Sequence, residues 1–195
     1  MRLYLALAAL FVVLFVAVYG GASWLSAHRN TPPAPHFAFE AAIPFVPGMA
    51  WIYLTVPLAL ALTPFVLRTK RELVPFFFIL TVELLVAGLC YLVYPVEPAW
   101  PPRVAAGSGA AAFHLADVLN LDYNELPSLH LAFAASVVLV FGRRWGPAGR
   151  VLLWIWLLAV AASTLMLHEH HVLDVVTGTV LGVVAVATVQ RREAA

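Results

Sequence analysis

Charge is what this chain has least of. Among 195 residues, 11 are Lys or Arg and 10 are Asp or Glu, 11% in all, while 63% are apolar. A soluble domain carries roughly a quarter charged residues, so this composition excludes an ordinary water-soluble fold and points to an integral membrane protein. Cysteine is nearly absent: Cys90 stands alone, inside an apolar run, and no intrachain disulfide can form. Basic stripes of the kind that hold nucleic acid are missing, as are repeats and low-complexity tails. The net charge of +1 decides nothing; the placement of the charges decides more.

What is there in quantity is apolar sequence, divided into six runs. A bilayer span takes roughly 17–25 mostly apolar residues. The first run, Leu3 to about Leu25, has the basic start of a signal peptide, but its length and the interfacial Trp24 favour a retained span. A polar, Pro-rich connection over 27–42 follows. Ile43 to Leu67 is the second span, and Pro44, Pro47 and Pro57 predict a broken entry and a kink. Leu73 to Val93 is the third, with Glu83 inside it, read as a hydrogen-bonded contact between helices. The longest connection covers 94–126, and Pro127-Ser128 marks the return to the membrane for a short fourth span ending at Phe141. Val151 to Leu167 and Val172 to about Val189 complete the set. The expectation is all-α: one domain over 1–195, six transmembrane helices, and both termini on one side.

Basic residues orient it. Arg2, Arg68, Lys70, Arg71, Arg143, Arg144, Arg150, Arg191 and Arg192 fall on one side of such a bundle, and only Arg29 and Arg103 on the other. The positive side is the cytoplasmic one, which puts the termini inside. Connections 27–42, 94–126 and 168–171 then face outward, and every histidine lies on or near them.

Those histidines carry the chemistry. The stretch S-T-L-M-L-H-E-H-H-V-L-D-V-V-T-G, Ser163 to Gly178, packs His168, Glu169, His170, His171 and Asp174 into an otherwise apolar chain. Such groups are costly in lipid and must face one another or a wet cavity. His170 and Asp174 are four apart, one helical turn, so the carboxylate can accept one ring proton and leave the other nitrogen free to attack. A second cluster, L-P-S-L-H at 126–130, stands where the long outer loop re-enters the membrane. Pro127 at a helix start leaves the next N–H groups free for an anion, with Ser128 beside them and His130 as a general acid. Arg103, in the rigid P-A-W-P-P-R run, offers a forked cation for a phosphate.

Taken together these pieces resemble the type-2 phosphatidic acid phosphatase superfamily, whose pattern is K-x6-R-P, P-S-G-H and S-R-x5-H-x3-D. P-S-L-H at 127–130 matches the second motif except at Leu129, and Ser163, His170 and Asp174 match the third, with Thr164 in place of its arginine. The first motif is poorly kept: Arg103 stands for its arginine, while Val96 and Val104 occupy the lysine and proline positions. The departures are closer to the inositol phosphorylceramide synthase-like branch, which transfers headgroups.

The resemblance implies a membrane-embedded lipid phosphatase or phosphotransferase without metal or other cofactor. Its substrate would be a lipid bearing a phosphate group. His170 would form a phosphohistidine, Asp174 would orient it and His130 would protonate the leaving group. Ser128, Arg103, Ser163 and Thr164, with nearby backbone N–H groups, would hold phosphoryl oxygens, with His168, His171 and Glu169 supporting them from around the mouth. Two other readings compete: a non-catalytic lipid-binding or transport protein, and zinc binding through H-E-H-H. The second is disfavoured because Val172 stands where H-E-x-x-H requires histidine.

Overall fold

A computed structural model describes the backbone of residues 1–194, with the side chains of Ser108 and 192–194 outside the description. Among the described residues the regular structure is helical. Its main helices are α1 (Arg2–Ser26), α2 (Pro47–Ala61), α3 (Lys70–Val93), α4 (Ala110–Leu119), α5 (Leu129–Phe141), α6 (Pro147–Met166) and α7 (Val172–Ala194). Of these, α1, α3, α6 and α7 are long and apolar enough to cross a membrane. The expected second and fourth spans are helical but shorter. The proline-rich second run breaks into a 3₁₀ turn at Pro47–Met49 and helical pieces up to Val66, as a chain missing amide donors must. Helix α4, inside the long 94–126 connection, has no counterpart among the sequence expectations.

Helices α3, α5 and α6 supply most of the buried core, with Phe76, Leu80 and Leu84 meeting Leu131, Val137 and Val160. Glu83 is fully buried and accepts a hydrogen bond from Ser136 of α5, the interhelical contact read from the sequence. The most extensive helix pairing is between α5 and α7. Gly178 and Gly182, one turn apart on α7, lie against the backbone of α5. A side chain at either would collide with the carbonyl of Ser128 or Ala132. Only glycine permits this approach.

Near its C-terminal end α1 contains a π turn, Val16–Gly20, that carries Tyr19 inward. The Tyr19 hydroxyl donates to Asn120 Oδ1 at 2.8 Å, and the Tyr19 carbonyl accepts from Asn124 Nδ2 at 2.8 Å. Segment 120–125 is thereby drawn down onto the helix bundle. The two long connections are tied to each other, Ala34 N–H donating to the Glu97 carbonyl and Glu97 N–H to that of Pro32.

Candidate active site

Two helix starts define the site. Ser128 is the N-cap of α5, its hydroxyl accepting from Leu131 N–H, so the serine performs the capping role and Pro127 lies just outside the helix. Its own N–H donates to the Asp174 carbonyl at 3.1 Å, which couples the start of α5 to the first turn of α7. His130 follows in the first turn of α5, stacked on Tyr53 with ring centroids 3.7 Å apart. Its Nε2 is buried and has no hydrogen-bond partner among the described residues.

The turn between α6 and α7 sorts the three histidines. His168 adopts φ +56, a left-handed conformation that reverses the chain after α6. Its Nε2–H donates to the Ile43 carbonyl at 3.0 Å. His171 has both ring nitrogens engaged: Nδ1–H donates to Glu40 at 2.7 Å, and Nε2 accepts from Ala99 N–H. Trp100 is sandwiched between the two rings, 4.1 Å from His168 and 4.5 Å from His171. Glu40 also accepts from the Phe37 and Val172 amides. Burial works against its charge, but these bonds outweigh it and hold its carboxyl below the usual carboxylate range. His168 and His171 therefore fix the turn, with both ring nitrogens of His171 already engaged.

Of the three, His170 alone borders the cavity beside His130. Its Nδ1 lies 3.6 Å from Asp174 Oδ2 and 3.5 Å from Glu125 Oε2. Asp174 Oδ2 also accepts the His171 backbone N–H at 2.8 Å, as an acidic residue in a first helical turn does. Burial opposes a charged ring, yet the two carboxylates outweigh it and raise His170 to about 10. Burial also pushes Glu125 up, to about 7, with His170 pulling the other way. Glu125 was not among the residues picked out from the sequence. It sits in the irregular D-Y-N-E-L stretch, and its burial depends on the Tyr19 bonds that pull that stretch inward.

Arg103 is spent elsewhere. Its guanidinium donates to Glu169 and Asp117, each at 2.5 Å, and to the carbonyls of Leu167 and His168. Glu169 is also bonded by Asn120. Ser163 and Thr164 turn their hydroxyls back onto the carbonyls of Val160 and Ala161, and the Thr164 carbonyl accepts from the Glu169 and His170 amides. These residues build the turn; in this geometry their side chains do not point a donor at a ligand.

His130 and His170 border one end of a cavity of about 190 Å³. Phe11, Phe15 and Tyr19 of α1 and Val56 and Leu60 of α2 wall most of the remainder, with Asn120 and Asn124 adding polar groups. A second apolar crevice continues along α1 toward Tyr4, sharing Phe11, Pro57 and Leu60 with the first. A polar head at the histidines with an apolar body beyond them is what this shape admits.

The fold and site define a helical membrane protein with a buried histidine–carboxylate centre at the ends of two helices. The chain matches the model of the PAP2 superfamily over residues 30–188 and belongs to that superfamily, the one the motifs resemble. No curated protein matches it. Among solved structures it resembles the crystal structure of Aquifex aeolicus LpxE, with a TM-score of 0.53 at 15% identity over 92% of this chain and 94% of that one.

Proposed function

We propose that the protein cleaves or transfers the phosphate group of a membrane lipid through a phosphohistidine at His170, on the extracytoplasmic side. The observation that carries this reading is the placement of His170. Nδ1 is turned to two carboxylates, and the ring borders an apolar cavity large enough for part of a lipid chain. A proton held on Nδ1 leaves the Nε2 lone pair to attack phosphorus once Nε2 is unprotonated. The phosphorus–oxygen bond to the lipid alkoxide breaks, and His130 supplies its proton. His130 then takes a proton from water or an acceptor alcohol, which attacks the phosphohistidine and frees His170. The unpaired amides in the first turn of α5 serve as the anion seat. No step calls for a metal.

A second reading, headgroup transfer from a phosphodiester, is favoured by Arg103. With that guanidinium neutralised by Glu169 and Asp117, and the His170 ring by Glu125 and Asp174, the site offers little net positive charge to a dianionic monoester. A monoanionic diester is repelled less.

The test is phosphate release by purified protein in detergent with EDTA, from a long-chain lipid phosphate monoester. It is run beside consumption of a phosphodiester lipid with and without an added alcohol. Monoester turnover that disappears in His170→Ala, with an acid-labile phosphoenzyme on rapid quench, is the expected result. Diester consumption only with the alcohol would make the enzyme a transferase. No turnover of either lipid, with His170→Ala indistinguishable from wild type, would leave the non-catalytic lipid-binding reading.

A further inference from the structure

Glu125, His170 and Asp174 form a group that the phosphohistidine reaction does not fully explain. Each is almost wholly buried, at 1%, 3% and 0% exposure. One ligand-type atom from each lies within 4.8 Å of the other two. Glu125 Oε2, His170 Nδ1 and Asp174 Oδ1 have no hydrogen-bond partner among the described residues. Leaving several such atoms unpaired in a dry interior is costly. Orienting an imidazole takes one carboxylate; here there are two.

The distances discriminate. An N–H···O hydrogen bond spans about 2.7–3.2 Å. The separations of 3.5 and 3.6 Å from Nδ1 to the two carboxylates exceed that. Around a zinc ion with bonds of about 2.0–2.2 Å, two ligand atoms at a tetrahedral angle stand roughly 3.4 Å apart. Two carboxylates and a neutral imidazole also balance the charge of a divalent cation, and a mixed nitrogen and oxygen set suits a borderline metal over magnesium.

We propose that Glu125, His170 and Asp174 form an inhibitory seat for a borderline divalent cation, zinc foremost. The inhibition rests on the reading that His170 is the nucleophile; the binding does not. A cation on Nδ1 takes the lone pair of that nitrogen, so the one proton the neutral ring retains lies on Nε2. That is the nitrogen that must attack, and its lone pair is then gone. A proton on Nδ1 and a metal on Nδ1 are alternative occupants, one arming the histidine and one silencing it. Glu169 takes no part, because its carboxylate is committed to Arg103 and Asn120.

The experiment begins with full-length protein stripped by chelator in detergent. Zinc chloride is titrated in by calorimetry, metal content is measured after gel filtration, and magnesium chloride serves as the hard-cation comparison. One zinc per chain, a rise in apparent Tm with zinc, and no magnesium binding are expected. Glu125→Gln and Asp174→Asn should each weaken zinc at least about tenfold, by loss of a ligand. His114→Gln, at an exposed histidine outside the triad, should leave it unchanged. If a variant fails to fold, the other and the wild-type Tm shift still decide. Absence of zinc binding, or equal binding by wild type and both triad variants, overturns the seat. Phosphate release should fall in step with zinc occupancy and return with EDTA; turnover that rises with zinc overturns the silencing. A protein that binds zinc at the triad yet releases no phosphate when stripped would sink the enzymatic reading and leave the seat standing.

Discussion

Arg103 stands between two acids, its guanidinium 2.5 Å from Glu169 on one side and 2.5 Å from Asp117 on the other. Glu169 has no side-chain exposure at all. The pair therefore ties the 94–126 connection to the histidine turn at a buried point, and its removal leaves an uncompensated acid behind.

Arg103→Ala should consequently destabilise the protein by about 3–5 kcal/mol, the cost of orphaning a buried charge. Adding Glu169→Gln should recover much of that loss, since the orphan is then neutral. Thermal denaturation in detergent reads both. Were Arg103 only a phosphate ligand, Tm would hold and KM alone would rise.

If His170 is the nucleophile proposed above, activity should rise toward alkaline pH. Attack needs Nε2 free of its proton, and the two carboxylates raise His170 to about 10, well above an ordinary histidine. The rising limb of kcat/KM against pH thus lies on the alkaline side of neutrality. Glu125→Gln removes one of the negative charges that stabilise the charged ring, so the limb should move to lower pH. A limb that stays in place in this variant would mean the Glu125 carboxylate does not act on the ring.

Gly178→Ala should lower stability by about 1–3 kcal/mol, the usual cost of overpacking. The added methyl meets the Ser128 carbonyl, a backbone atom with little room to yield. Because that same carbonyl belongs to the cap of α5, activity should fall by more than the stability loss explains. Parallel measurements of Tm and of turnover well below Tm check this.

Phe11→Trp and Leu60→Trp enlarge side chains shared by the cavity and the crevice along α1. Long-chain substrates should lose about tenfold or more in kcat/KM as the reacting phosphate is displaced. A short-chain, water-soluble analogue should be turned over as before. Equal losses for both would place the lipid chain elsewhere.

Much of this arrangement is legible in the chain itself, and the reasons it stops are specific. The apolar runs are helical over most of their expected length, because hydrophobic length is a local property. Among the described residues, though, only four helices are long enough to cross a membrane, and the proline-rich second run is broken. The P-S-L-H and H-x3-D spacings located the two helix starts that meet. His168 and His171 are separated from His170 only by the left-handed turn and the Trp100 sandwich, neither of which has a periodic signature. Glu125 is the clearest omission. Its burial comes from Tyr19 on a π turn 106 residues earlier, a contact between distant stretches that no window along the sequence contains. The partners of Arg103 are likewise long-range, and so a cation that looked free proved to be taken.

The close approach of α7 to α5 has a consequence for how this lineage can change. Gly178 and Gly182 do not line the cavity beside His130 and His170, yet the spacing of the two histidine motifs depends on them. Selection on the chemistry is therefore selection on these glycines. A descendant that kept His130, His170 and Asp174 but replaced either glycine with a large residue would carry every reactive group and lose the site. Sorting relatives by their reactive residues alone would count such a chain as active; including the glycine pair would identify it as a relic.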